Sequence, residues 1–423
     1  MSAAAAGHGP LAHRDFRLFF ASRIASGVAI QILNVGVGWL VYDLTGDPFA
    51  LGLVGLVTFL PAVLFALVTG HVADRFDRRR VIVTGYLGAA LAASGLLVLL
   101  LSGSRAVWPV FVLVFAFGSA RAFTNPAAQA IVPSLVPVDL LRRAIALNSM
   151  AFQGSIVIGP AIGGGLWLLG GAAVFTATVV GLCLALVLVA LIARRPPAAA
   201  GEPASLARLL AGFTFIRSRP LILGAISLDL VAVLLGGATA LLPIFARDIL
   251  LIGPAGLGAL RAAPAAGAVL MALWLARRPL ERRVGRTMLI AVALFGLAMA
   301  GFGLSTSMPL SLLCLAVAGA ADMVSVVVRQ TLVQLETPDP MRGRVAAVNT
   351  VFIGASNELG EFESGVVAGL IGTVPATVLG GLGTVGAALL WSKLFPDLRE
   401  RDRLVPETEP GGATAPPGHR ADR

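Results

Sequence analysis

Where two long apolar runs meet, the chain reads Gly70-His71-Val72-Ala73-Asp74-Arg75-Phe76-Asp77-Arg78-Arg79-Arg80. The run on either side is about 20 residues long, enough to cross a hydrocarbon core of roughly 30 Å as a helix. Working outward, twelve such runs occupy residues 17–41, 50–72, 81–102, 107–132, 144–168, 171–193, 220–243, 256–276, 287–305, 309–334, 345–371 and 376–395. The gaps between them alternate in charge. Arg14 precedes the first run, and the burst at Arg75, Arg78, Arg79 and Arg80 follows the second. Arg142 and Arg143 follow the fourth, Arg194, Arg195, Arg208, Arg217 and Arg219 the sixth, and Arg277, Arg278, Arg282, Arg283 and Arg286 the eighth. Arg342 and Arg344 follow the tenth, Lys393 and Arg399 the twelfth, while the intervening gaps hold only Arg105 and Arg247. Short basic loops stay in the cytoplasm, so the pattern predicts an all-α integral membrane protein. Twelve transmembrane helices cross the cytoplasmic (inner) membrane and leave both termini inside.

Composition narrows the class further. The chain is 57% hydrophobic and only 13% charged, which excludes an ordinary soluble mixture. Its net charge of +10 is divided among many short loops. Topology and anionic lipid head groups account for that distribution, so no nucleic-acid partner is expected. Cys183 and Cys314 lie inside apolar runs, which argues against a disulfide framework. His8, His13, His71 and His419 are scattered without metal-ligand spacing, so no metal, cofactor or catalytic residue is expected. The only lysine, Lys393, lacks the glycine-rich context of a phosphate-binding loop, which excludes an ATP-driven pump. The first ten residues carry no secretory signal pattern, and the first run is long enough to remain as a span. Oligomeric state is not written in the sequence, and a monomer is the default.

The runs group as six and six. Residues 1–15 read as a cytoplasmic segment, 16–193 as one six-helix bundle, 194–219 as a cytoplasmic linker, 220–395 as a second bundle and 396–423 as a disordered cytoplasmic tail. Within the linker Leu206, Leu209, Leu210, Phe213 and Ile216 recur at helical spacing, predicting an amphipathic helix along the inner face. A shift of about 201 residues lays one half on the other. Gln129 falls on Gln330, Val132 on Val333, Pro137 on Pro338, Arg143 on Arg344, Asn148 on Asn349 and Gly164 on Gly365. Two pseudo-symmetric bundles related by an axis along the membrane normal describe a rocker-type transporter with its site at the midplane.

The loop at 70–80 resembles the inter-helix loop of the major facilitator superfamily, G-x-x-x-D-R-x-x-R-R. That resemblance implies a conformational latch built on Gly70, Asp74, Arg75, Arg78 and Arg79. A glycine lets helix ends approach closely, and a carboxylate can engage a helix N-terminus or an arginine in one conformation only. The fifth run contains Gly154, Gly159, Pro160, Gly163 and Gly164 in an arrangement similar to the motif of superfamily members that export substrate against protons. Here proline bends the helix and glycines permit tight contact. Asn125-Pro126-Ala127-Ala128-Gln129, Asp229, the segment Leu242 to Asp248, and Arg342 through Gly365 look like the enterobactin-exporter branch, which mixes siderophore, macrolide and other drug exporters.

Nine charges fall inside predicted spans: Asp229, Asp322, Glu358, Glu361, Glu363, Arg23, Arg121, Arg261 and Arg329. Left unpaired they would cost on the order of 25 kcal/mol on insertion scales. Arg23, Arg261 and Arg329 lie within about two turns of a span end and are expected to snorkel to the surface. Arg121 and Asp322 are offset-equivalent near mid-span, and a pair across the pseudo-symmetry axis is expected. Glu358 and Glu361 are spaced i, i+3 on one helix face, with Glu363 turned away. A carboxyl group removed from water favours its neutral form, the property a proton carrier needs. Arg121, Asp229, Asp322, Glu358 and Glu361 are therefore the cavity or proton-coupling candidates, weighed against a buried polar network that only holds helices together. The resemblance and these charges together predict a secondary transporter that exports an amphiphilic siderophore or drug by proton antiport with alternating access. The alternatives are a proton-coupled importer and a non-transporting sensor or scaffold.

Overall fold

The computed structural model of the protein describes residues 9–193 and 206–403. The side chains of Leu67, His71, Ala73, Asp74, residues 206–210, Asp339, Pro340, Ala347 and Thr350 lie outside the described set, as do residues 1–8, 194–205 and 404–423. The first half runs α1 (Arg14–Thr45), α2 (Pro48–Leu64), α3 (Ala66–Arg75), α4 (Arg78–Leu101), α5 (Trp108–Leu135), α6 (Leu141–Leu166) and α7 (Gly171–Ala190). A linker helix α8 (Leu206–Arg217) leads to α9 (Pro220–Gly236) and the short α10 (Leu242–Ile244). Then come α11 (Gly253–Arg277), α12 (Val284–Leu304), α13 (Met308–Glu336), α14 (Asp339–Ile371), α15 (Thr373–Leu394) and α16 (Pro396–Glu400).

Among the described residues ten helical segments are long and apolar enough by themselves to cross a membrane. The remaining two of the twelve crossings are special for a physical reason each. The second is broken after Leu64, one turn beyond Pro61, and α3 continues it. The eleventh, α14, is 33 residues long and carries the three glutamates Glu358, Glu361 and Glu363 in its apolar run.

The duplication read from the sequence is visible in the packing. Helix α4 lies against α5 and α7 in the first half, as α12 lies against α13 and α15 in the second. The halves meet along two seams, α2 on α14 and α6 on α11. Linker helix α8 docks on α14, where Ile216 is buried with Val345 and Val348, and Phe213 stacks on Phe352 at 6.3 Å.

The segment expected to be a disordered tail begins with a folded strap. Leu398 of α16 is fully buried among Ala225, Leu228, Val284 and Met288. Beyond it, Asp402 accepts the Arg283 N–H on its side chain at 3.1 Å and the Val284 N–H on its carbonyl at 3.2 Å. The Arg401 carbonyl accepts from Gly285 at 3.0 Å, so the exposed first-turn donors of α12 are satisfied from the end of the chain. Arg401 also pairs with Glu336 at 2.6 Å. Proline and charge over residues 396–403 misread as disorder because the anchors there are single residues without periodicity. Leu398→Ala is expected to destabilise the detergent-solubilised protein by about 2–4 kcal/mol, the range for emptying a buried leucine site. Thermal unfolding unchanged within error would mean the strap is not packed.

Candidate functional site

Between the halves, at mid-depth, lies a cavity of about 90 Å³ lined by Asn34, Thr58, Arg121, Arg261, Glu358 and Glu361 with apolar neighbours. Helices α1, α2, α5, α11 and α14 supply this wall, with Ala240 from the 3-10 turn Ala238–Leu241 before α10. Space of that size holds several water molecules or one polar head group, well short of the 300–1,000 Å³ of a drug-sized site. Glu358 and Glu361 face it from one side of α14, one turn apart. Arg121 on α5 looks toward Glu358 and stands beside Arg23 of α1, while Arg261 on α11 looks toward Glu361 and Glu358. Among the described residues no ion pair or hydrogen bond joins the two arginines to the two glutamates. The Nε groups of Arg23, Arg121 and Arg261 are buried without a partner among the described residues, as is that of Arg329 outside the cavity.

A second charged cluster is confined to the second half. Arg329 of α13 is 2% exposed and pairs with Asp229 of α9 at 3.1 Å. Its other terminal nitrogen donates to Asn349 Oδ1 of α14 at 3.2 Å. Asp322, two turns before Arg329 on α13, faces this pair rather than the cavity. These positions correct three expectations. Arg121 and Asp322 do not pair: each is turned toward charges of its own cluster. Arg329 does not snorkel but is locked inside the bundle, and Arg261 lines the cavity. Distance from a span end fixes depth, but the direction of a side chain depends on helix rotation, which the sequence pattern left open. Asn349 entered the sequence reading only as a repeat marker, and its hydrogen bond to Arg329 had no signal of its own.

The seams are tightest at the arginine-poor end. A Cβ on Gly164 would lie 2.7 Å from the Pro254 carbonyl and 2.8 Å from Gly258 Cα. One on Gly365 would lie 2.6 Å from Gly52 Cα, and one on Gly55 would meet Glu361 Oε2 at 3.0 Å. Of the other motif positions in α6, Gly159 and Gly163 pack on Gln31 and Ile32 of α1, the Pro160 carbonyl abuts Gly258, and Gly154 meets nothing. Tyr42 donates to Asp248, and Arg247 pairs with Asp43 at 2.9 Å, closing α1 on the segment after α10. Toward the arginine-rich end the contacts along α14 thin out. Gly354, one turn from Glu358 on the same face of α14, has nothing within 4 Å of where a Cβ would stand.

The loop at 70–80 is bound within its own half. Arg78 donates to the Ala130 carbonyl at 2.9 Å, and Arg79 to the carbonyls of Val189 at 3.2 Å and of Ala190, at the end of α7. Asp77, passed over in the sequence reading, caps α4 by accepting the Arg79 N–H at 3.0 Å. Gly70 and Arg75 lie on α3, and the Asp74 side chain is outside the described residues.

A family model for transmembrane secretion effectors matches residues 5–408. The enterobactin exporter EntS of Citrobacter koseri is 28% identical over 400 residues, covering 94% of this chain and 96% of that one. Its counterpart in Escherichia coli O6:K15:H31 is 27% identical over 404 residues, with 95% and 96% covered. Among solved structures, a bacterial homologue of the iron transporter ferroportin in an inward-facing state superposes with a TM-score of 0.69 at 16% identity, covering 92% and 99%. The POT family transporter PepTSo gives 0.70 at 13% identity, covering 92% and 99%. At those identities the structural matches speak to the fold alone.

Proposed function

Since the chain belongs to the transmembrane secretion effector family of the major facilitator superfamily, we propose that it exports an amphiphilic small molecule from the cell by proton antiport. The two halves rock about the cavity, which is loaded from the arginine-rich, cytoplasmic side. The observation that carries this reading is the cavity itself: unpaired opposite charges between two bundles, closed at the arginine-poor end by backbone contact across both seams. Full-length relatives are exporters, which supports the outward direction. Glu358 and Glu361 exchange the proton, because they alone among the mid-membrane acids face the space that the substrate enters. A proton moving inward across 100 mV gains about 2.3 kcal/mol, enough to drive export of a neutral partner roughly fifty-fold uphill. Gly70, Asp74 and Arg75 act as the latch when the inner ends close. Asp229 and Asp322 belong to the network that holds the second half rigid.

The test is purified protein in liposomes with an imposed proton gradient and a pH dye inside, with siderophores and macrolides added singly. Substrate-dependent proton movement is expected, and the double variant Glu358→Gln, Glu361→Gln is expected to abolish it. Labelled compound crossing with no proton movement would reduce the protein to a uniporter and return both glutamates to a structural role.

A further inference from the structure

The cavity separates its donors from its acceptors. Arg121 and Arg261 present guanidinium groups from α5 and α11, and Glu358 and Glu361 present carboxyl groups from α14. In a site built only for stability, opposite charges this deep would close into ion pairs, as Arg329 and Asp229 do at 3.1 Å within the second half. Here they stand apart, and no nitrogen of the Arg121 or Arg261 guanidinium has an acceptor among the described residues, whereas Arg329, whose Nε is likewise unpaired, has both terminal nitrogens bound. Buried donors are ordinarily satisfied, so an unpaired set lining a cavity marks a place a ligand completes. The seal beyond Glu361 is glycine and backbone, from Gly52 and Gly55 of α2, and contributes no ionisable group. The charged groups facing the two glutamates are Arg121 from α5 and Arg261 from α11.

We infer that the cavity selects a dipolar head group: an anionic or carbonyl acceptor held by Arg121 and Arg261, next to an ammonium or hydroxyl donor held by Glu358 and Glu361. The inference rests on the exporter reading and extends it to substrate class. A purely anionic substrate fits that reading poorly. Protonating Glu358 or Glu361 adds positive charge to the site and would strengthen anion binding, so proton and substrate would travel together. A purely cationic one leaves both guanidinium groups unpaired and faces their repulsion. A dipolar head satisfies both walls at once, and protons compete with its donor end at the glutamates, which is the exclusion that antiport requires.

Three probes with one fluorescent body separate these cases on the full-length protein in lipid nanodiscs: dansylcadaverine (ammonium only), dansylglycine (carboxylate only) and Nε-dansyl-lysine (both). Dansyl-lysine is expected to bind at least about tenfold more tightly than either of the others. Its affinity should fall as the pH is lowered and protons compete for the glutamates, while that of dansylglycine should not fall. Arg121→Gln with Arg261→Gln should bring dansyl-lysine down to the level of dansylcadaverine, and Glu358→Gln with Glu361→Gln to that of dansylglycine. Equal binding of all three probes, or dansylglycine as the tightest, overturns the inference on the unaltered chain, before any variant is needed. The liposome assay keeps the two readings apart. Dipolar selectivity without proton movement leaves the recognition standing and removes antiport, whereas proton movement driven equally by dansylcadaverine removes the recognition and leaves antiport.

Discussion

Arg329→Ala is expected to destabilise the protein by about 3–5 kcal/mol, the cost of leaving a buried charge without its partner. The residue is 2% exposed and binds Asp229 and Asn349. Its loss strands the Asp229 carboxylate next to a second acid, Asp322, and Arg329 is the one cation among the described residues that acts on either. Adding Asp229→Asn should restore a large part of the loss, since replacing both ends of a buried pair is often close to neutral. Thermal unfolding of the detergent-purified single and double variants reads the difference. If the double variant is no more stable than Arg329→Ala, the cost is lost packing of the arginine stem and not an orphaned charge. The offset pairing sharpens the expectation: the positions equivalent to Asp229 and Arg329 in the first half are Val28 and Ala128, so nothing there duplicates the pair.

Gly258→Val should prevent the arginine-poor seam from closing. A Cβ on Gly258 would stand 2.5 Å from the Pro160 carbonyl and 3.0 Å from Gly164 Cα, both across the boundary between the halves. Neither contact is a flexible side chain, so the seam must part. Overpacking of about 1–3 kcal/mol corresponds to a shift of roughly 5- to 150-fold in the balance between closed and open forms. The clash is between bundles and not within one, so each half should still fold. The readout is a cysteine at Val37 on the cavity wall, in a background without Cys183 and Cys314, labelled from outside with an impermeant maleimide. Labelling should rise and export should fall together. Gly154→Val is the control, because Gly154 lies on α6, the helix that Gly258 meets across the seam, but has nothing within 4 Å. Equal damage from both substitutions would sink the wedge explanation and leave only a general intolerance of bulk on these two helices.

Much of the architecture needs nothing beyond the order of residues. Twelve crossings, their alternation and the two halves follow from run length, arginine placement and an internal offset, all properties counted along one dimension. The membrane makes this possible: every spanning segment must satisfy its own backbone, so a long apolar run has essentially one solution. The strap at Leu398 to Asp402 escaped that logic because it lies outside the membrane, where such compulsion ends.

The charged sites divide differently. That nine ionisable residues sit inside spans was readable, and so was the i, i+3 pairing of Glu358 with Glu361. Which charges meet was not. Offset equivalence pointed Arg121 at Asp322, yet Arg121 faces Glu358 and Asp322 faces Asp229 and Arg329. Position in the chain sets how deep a side chain lies, but its bearing turns by about 100° per residue, and only packed neighbours decide which bearing looks inward. Depth belongs to the sequence of this protein; partnership among its charges, and with it the separation of a locked pair from an open cavity, belongs to the way twelve helices are rotated against one another.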